Sequence, residues 1–149
     1  MLKLYERLIT AISSPWPESL VLLFVRVVFA GIFWRSGQAK MAEGSWFTIS
    51  DGTWELFRTE YSGVPLTPEL AAPLAAGAER LFPVLLVAGL FTRASALALL
   101  VMTMTIQIFV YPDAWWTEHS LWTALALVLI VRGGGNLAIE KLLTRRSEA

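Results

Sequence analysis

Residues Ala94–Pro112, ASALALLVMTMTIQIFVYP, carry no charged side chain over nineteen positions. At 1.5 Å per residue, that is about the length a helix needs to cross a bilayer. Around this stretch, the 149-residue chain is 56% hydrophobic and 16% charged, against roughly 45–50% and about 25% in ordinary globular domains. The length allows one domain. Its excess of apolar residues points to the membrane.

Working outward, Thr92-Arg93 reads as a tight turn, and Pro112-Asp113 begins the next one. Before the turn, Thr67-Pro68-Glu69 has the form of a helix start, with Thr67 as cap and Pro68 in the first turn. A second span therefore covers about 69–91. A first span covers about 18–39, after the break at Ser14-Pro15-Trp16-Pro17. The fourth covers 114–132, reaching full length only if Glu118 and His119 sit within its first turns. The predicted fold is all-α: a single membrane domain over 1–149, built as a four-helix bundle.

Amphipathic surface helices flank it. Leu4, Tyr5, Leu8, Ile9 and Ile12 form one apolar stripe, and Asn136 to Arg146 forms a second surface helix. The first is a poor signal peptide, lacking an uninterrupted apolar core and a small-x-small cleavage site. The loop 41–68 contains Trp54, Phe57 and Tyr61 at helical spacing, which predicts a short interfacial helix over 53–61. A loop this long is usually functional or packed as a cap.

Four spans place both termini on one side. Seven basic residues then lie on that side (Lys3, Arg7, Arg93, Arg132, Lys141, Arg145, Arg146) and three on the other (Arg35, Lys40, Arg58). The positive-inside rule makes the termini cytoplasmic. The formal net charge of zero is thus a cancellation. Charges sum to about +3 inside, −4 outside and +1 within the membrane. Dispersed basic residues argue against nucleic acid. With no cysteine, disulfides, iron–sulfur clusters and covalent haem attachment are excluded. The single histidine excludes a bis-histidine haem, and no metal-ligand spacing occurs.

Glu79 is the sharpest signal, near the middle of its span. An acidic side chain at that depth costs about 2.5–3.5 kcal/mol on insertion scales, so it faces the bundle interior and has a partner. With both spans starting at one inner plane, Arg26 lies about 12 Å in and Glu79 about 18 Å in. This predicts an Arg26–Glu79 contact, with Arg80 joining it or snorkelling to another face. Pro83 pushes against the carbonyl of Glu79 and leaves it without its helical donor. Such a pair is either a ligand or proton site or a structural ion pair. His119, near Trp115, Trp116 and Trp122, is either a proton relay or quinone hydrogen-bond donor, or an interfacial residue. Gln107 faces the same outer half. Six of the seven tryptophans lie toward that side, forming either an uneven aromatic belt or a docking surface.

Arg26, Gly31 and the run Gly37-Gln38-Ala39-Lys40 resemble the arginine and glycine-x-x-lysine pattern of DoxX-like membrane proteins. Glu79 followed by Gly89-Leu90-Phe91-Thr92-Arg93 is similar to that family's glutamate and its GL-x-T-R turn, and His119 ahead of the last span also fits. The resemblance covers roughly 18–135. It implies a compact four-helix bundle in the bacterial inner membrane. Some relatives are linked to quinone-coupled oxidation of sulfur compounds, and others are partners of oxidoreductases or of peptide-modifying enzymes. The leading expectation is therefore a quinone-linked membrane subunit of an oxidoreductase, working with a soluble or membrane partner enzyme. Its catalytic candidates are Glu79, Arg26 and His119; its cofactor-binding candidates are Arg35, Gln38, Lys40, Arg80 and Gln107. Alternatives are a non-catalytic membrane anchor docked to another protein or to a second copy, and a small transporter.

Overall fold

The computed structural model describes residues 2–147. Four helices are long and apolar enough to cross a membrane: α2 (Pro15–Ala39), α4 (Pro68–Ala88), α5 (Thr92–Phe109) and the composite segment Pro112–Arg132. The last ends in α6 (Ser120–Arg132), which is entered through a tight turn at Pro112–Ala114 and a wide π turn at Trp115–His119. Glu118 and His119 do sit inside its first turns.

The second span ends earlier than its hydropathy suggests. Gly89 adopts φ 69°, the left-handed conformation that closes α4, and Phe91 follows at φ 49°. The turn is thus Gly89–Phe91, and Thr92 already begins α5. Thr92-Arg93 is the first turn of a helix rather than a connection.

Leu22, Phe29, Phe33, Leu86, Leu99 and Leu129 form the core, with Ala30, Ala96 and Ala126 where helices approach closely. Small residues at helix contacts are what close packing within lipid requires. Phe29, Phe33 and Trp122 stack edge-to-face along the core, with centroids 5.3 and 5.6 Å apart. Trp122 is therefore interior rather than part of a surface belt.

Among the described residues, three short α-helices lie outside the spans. α1 (Leu2–Ile12) leaves Leu4, Tyr5, Ile9 and Ile12 exposed, as an interfacial helix does. At the same end of the bundle lies α7 (Ile139–Ser147). At the opposite end, the long loop carries α3 (Asp51–Thr59), two residues ahead of the predicted helix, followed by a tight turn at Glu60–Gly63. Ser50 caps α3 by accepting from the Thr53 amide at 3.2 Å. Phe57, Ala71 and Ala72 form a second small core with Trp54 and Tyr61, so the loop is a packed cap over the start of α4.

Candidate functional site

At the loop end, Glu79 is 2% exposed and pairs with Lys40, not with Arg26. The Lys40 ammonium donates to Glu79 Oε1 at 3.0 Å and to Ser36 Oγ at 2.9 Å. It also lies 2.8 Å from Oε2. Both carboxylate oxygens thus face the same ammonium. The cap positions the lysine: the Thr53 hydroxyl and the Ser50 amide both donate to the Lys40 carbonyl, at 3.0 and 3.1 Å.

Gly37 explains how the two helices come so close. A Cβ there would lie 2.9 Å from Arg80 Cγ and 3.0 Å from the Glu79 carbonyl oxygen. This is the carbonyl that Pro83 crowds from within α4. The contact sets residue 37 against residues 79 and 80, and one helical turn further along α2 brings Lys40 over the carboxylate.

That register overturns the predicted Arg26–Glu79 contact. α2 projects well beyond the end of α4, so Arg26 stands level with Gly89 rather than with Glu79. Fully buried, its guanidinium donates to the carbonyls of Leu86 and Val87 at 3.2 Å and of Leu137 at 3.1 Å. Two of these belong to the last turn of α4, where the helix dipole favours a cation; the Leu86 carbonyl also accepts from the Gly89 amide at 3.0 Å. Its Nε remains buried without an acceptor. Arg26 thus ties α2 and α4 to the segment before α7. Arg80 joins neither buried charge. Its guanidinium donates to the Trp46 carbonyl and lies 5.0 Å from the Trp46 ring centroid, pinning the loop.

His119 is 2% exposed, so it belongs to the interior rather than the headgroup region. The π turn ends at this residue, and insertions of this kind often mark functional positions. Its Nδ1 lies 2.7 Å from Gln107 Oε1, and its ring meets Trp122 at 5.0 Å. Gln107 in turn donates to the Pro112 carbonyl at 2.6 Å.

A cavity of about 580 Å³ joins these parts, with Ser36, Tyr61, Glu79, Tyr111 and His119 on its wall. A second, mostly apolar cleft of about 270 Å³ lies between α4 and α5 and is also lined by Lys40, Tyr61 and Glu79. Tyr61 stacks on Phe57 at 4.6 Å and meets Tyr111 edge-on. Burial, then Tyr111 and the carboxylates of Glu79 and Glu60, hold its phenol well above the ordinary range, so it faces both cavities as a neutral hydroxyl. Tyr111 donates to Glu60, and that hydrogen bond raises its phenol too.

Of the residues singled out in the sequence, Glu79, Lys40, Gln107 and His119 thus gather at one end. Arg26 lies at the other. Arg35 and Gln38 are exposed on α2 and line none of these cavities. Ser36 and Tyr61 belong to the site but were not among the candidates. Their signals were faint: Ser36 lies one turn before Lys40, and Tyr61 sits on the apolar face of the loop helix. Among the described residues, no three metal-ligating side chains gather.

The sequence model of the DoxX family matches residues 21–112. A protein of Haemophilus influenzae described only as uncharacterized is 27% identical over 132 residues, covering 83% of each chain. No solved structure matches.

Proposed function

The chain belongs to the DoxX family, and from that premise we propose that it is the membrane subunit of a quinone-linked redox system, working with a partner enzyme. One observation carries this reading. A buried Lys40–Glu79 pair stands where two cavities share a wall. An ion pair built only to lock helices together would be closed in by packing.

The side chains suit a quinone headgroup. Its two carbonyl oxygens are acceptors, and Lys40 and the neutral Tyr61 hydroxyl are donors along the two cavities. The Glu79 carboxylate and His119 Nε2, whose ring gives its Nδ1–H to Gln107 Oε1, are acceptors for the hydroxyl form. A bound quinone supplies a two-electron, two-proton couple confined to the bilayer. The chain contributes positioning and proton-carrying groups, with Glu79 and His119 as the proton carriers and Gln107 holding the His119 ring. Electrons come from the partner, since this chain has no cysteine for a cluster or dithiol. The excess of Lys and Arg at the termini end supports an inner-membrane protein with cytoplasmic termini.

A second reading, a membrane anchor that docks another protein, is favoured by Phe47 and Trp116, which are 93% and 85% exposed at the loop end. Extraction in mild detergent followed by lipid analysis separates the two. The redox subunit retains stoichiometric quinone, which Lys40→Met and His119→Leu release. A quinone-free protein that holds a soluble partner tightly would establish the anchor instead.

A further inference from the structure

The pair at Glu79 has two approaches of different character. The larger cavity is flanked by Tyr111, Pro112, Asp113, Thr117 and Glu118, from the connection between α5 and α6, and is therefore polar at its mouth. The α4–α5 cleft is different. Leu74 and Val101, 62% and 59% exposed, stand on the outer surfaces of two membrane-crossing helices, and between them the wall runs inward over Ala75, Ala78, Ala98 and Met102. Alanines on both helices keep this slot open where larger residues would close it. Its inner end is Lys40, Tyr61 and Glu79.

We propose that this cleft is a lateral entrance from the bilayer to the Lys40–Glu79 pair. It admits a lipid-soluble molecule with an apolar tail and a small head of hydrogen-bonding oxygens. The head meets the ammonium and the carboxylate, while the tail stays along the alanine walls and passes out between Leu74 and Val101 into lipid. The physical reason is the cost of holding an ion pair in an apolar medium, which further hydrogen bonds offset. A ligand hydroxyl arriving through the cleft relieves that cost, whereas an apolar tail arriving through the polar mouth would not stay there. Glu79 and Tyr61 line both spaces, so the same carboxylate faces the membrane ligand on one side and the polar cavity on the other. The identification of the ligand as quinone rests on the function proposed above; the entrance does not.

The entrance is tested without any quinone, on the full chain in lipid nanodiscs. Dicyclohexylcarbodiimide partitions into hydrocarbon and activates a carboxyl group by adding it across the carbodiimide. The activated group either rearranges to a stable acylurea or is attacked by a neighbouring amine, releasing the urea and leaving an amide. The expected products, by peptide mass mapping, are an acylurea on Glu79 or a Glu79–Lys40 cross-link. A charged, water-soluble carbodiimide should be several-fold slower at this residue. Ala98→Phe and, independently, Ala78→Phe fill the slot and should slow the apolar reagent several-fold. Gly31→Leu fills the groove on the other face of α4, where a Cβ meets nothing within 4 Å, and should leave the rate unchanged. No modification of Glu79, or equal rates in the filled variants, would overturn the lateral entrance. Modification without co-purifying quinone leaves the entrance standing and removes quinone as its ligand. Quinone bound to a protein whose Glu79 the reagent cannot reach leaves the function standing and sends the ligand through the polar mouth.

Discussion

The bundle buries charged side chains at both of its ends and satisfies them differently. Arg26 gives its hydrogen bonds to three backbone carbonyls, groups that cannot titrate or leave. Glu79 is answered by another ionisable side chain beside open space. The first arrangement closes a helix end and orders a chain segment. Its counterpart holds a charge in readiness. Burial of a charge in a membrane helix therefore does not by itself mark a chemical site; the nature of the partner and the presence of a cavity decide.

This contrast can be broken most forcefully at Arg26. Arg26→Met takes the donor from the buried Val87 and Leu137 carbonyls and should cost about 1–3 kcal/mol for each. Arg26→Lys should fail nearly as badly, because a single ammonium cannot reproduce the planar fork. Thermal unfolding in detergent measures both, and a stable Arg26→Met protein would erase the distinction between the two ends.

Glu79→Gln comes next. It leaves Lys40 buried without a counter-charge and should cost about 3 kcal/mol. The double variant Lys40→Met/Glu79→Leu should recover stability to within about 1 kcal/mol of the natural chain, since apolar replacement of a buried pair is often neutral. Bound quinone should still be absent. If the double variant keeps its ligand, the pair is only architecture.

Gly37→Val tests the register that brings the pair together. Crowding the Glu79 carbonyl should cost about 1–3 kcal/mol and disturb the Lys40–Glu79 distance, which a shifted chemical cross-linking yield would report. The smallest effect belongs to Gln107→Leu. Loss of a hydrogen bond inside the membrane averages about 0.6 kcal/mol, so stability should barely change while quinone retention falls. Unchanged retention would remove the Gln107–His119 couple from the site.

The four spans were legible because nineteen uncharged residues and their flanking prolines leave few alternatives in lipid. Glu79 and His119 stood out for the same reason, as titratable groups where such groups are expensive. Lys40 was visible only as part of a terminal motif, since a lysine at a span end reads as a snorkelling residue until a cap folds over it. Tyr61 was read as one more aromatic on a loop helix. Nothing local announces that the loop returns it to the top of α4.

Composition, hydropathy and proline placement by themselves determined a four-span membrane bundle, the depth of Glu79 and the crowded carbonyl beside it. Those properties depend on each segment's own chemistry against lipid. Only the tertiary structure decided which charge meets which. Helical periodicity specifies a face but not a level, and the level of one helix against another is set by where backbones can touch. Here Gly37 against the Glu79 carbonyl and Gly89 against Arg26 set it. With α2 projecting past the end of α4, the arginine expected at the carboxylate became a helix-end staple, and the lysine at the far end of the same helix took its place.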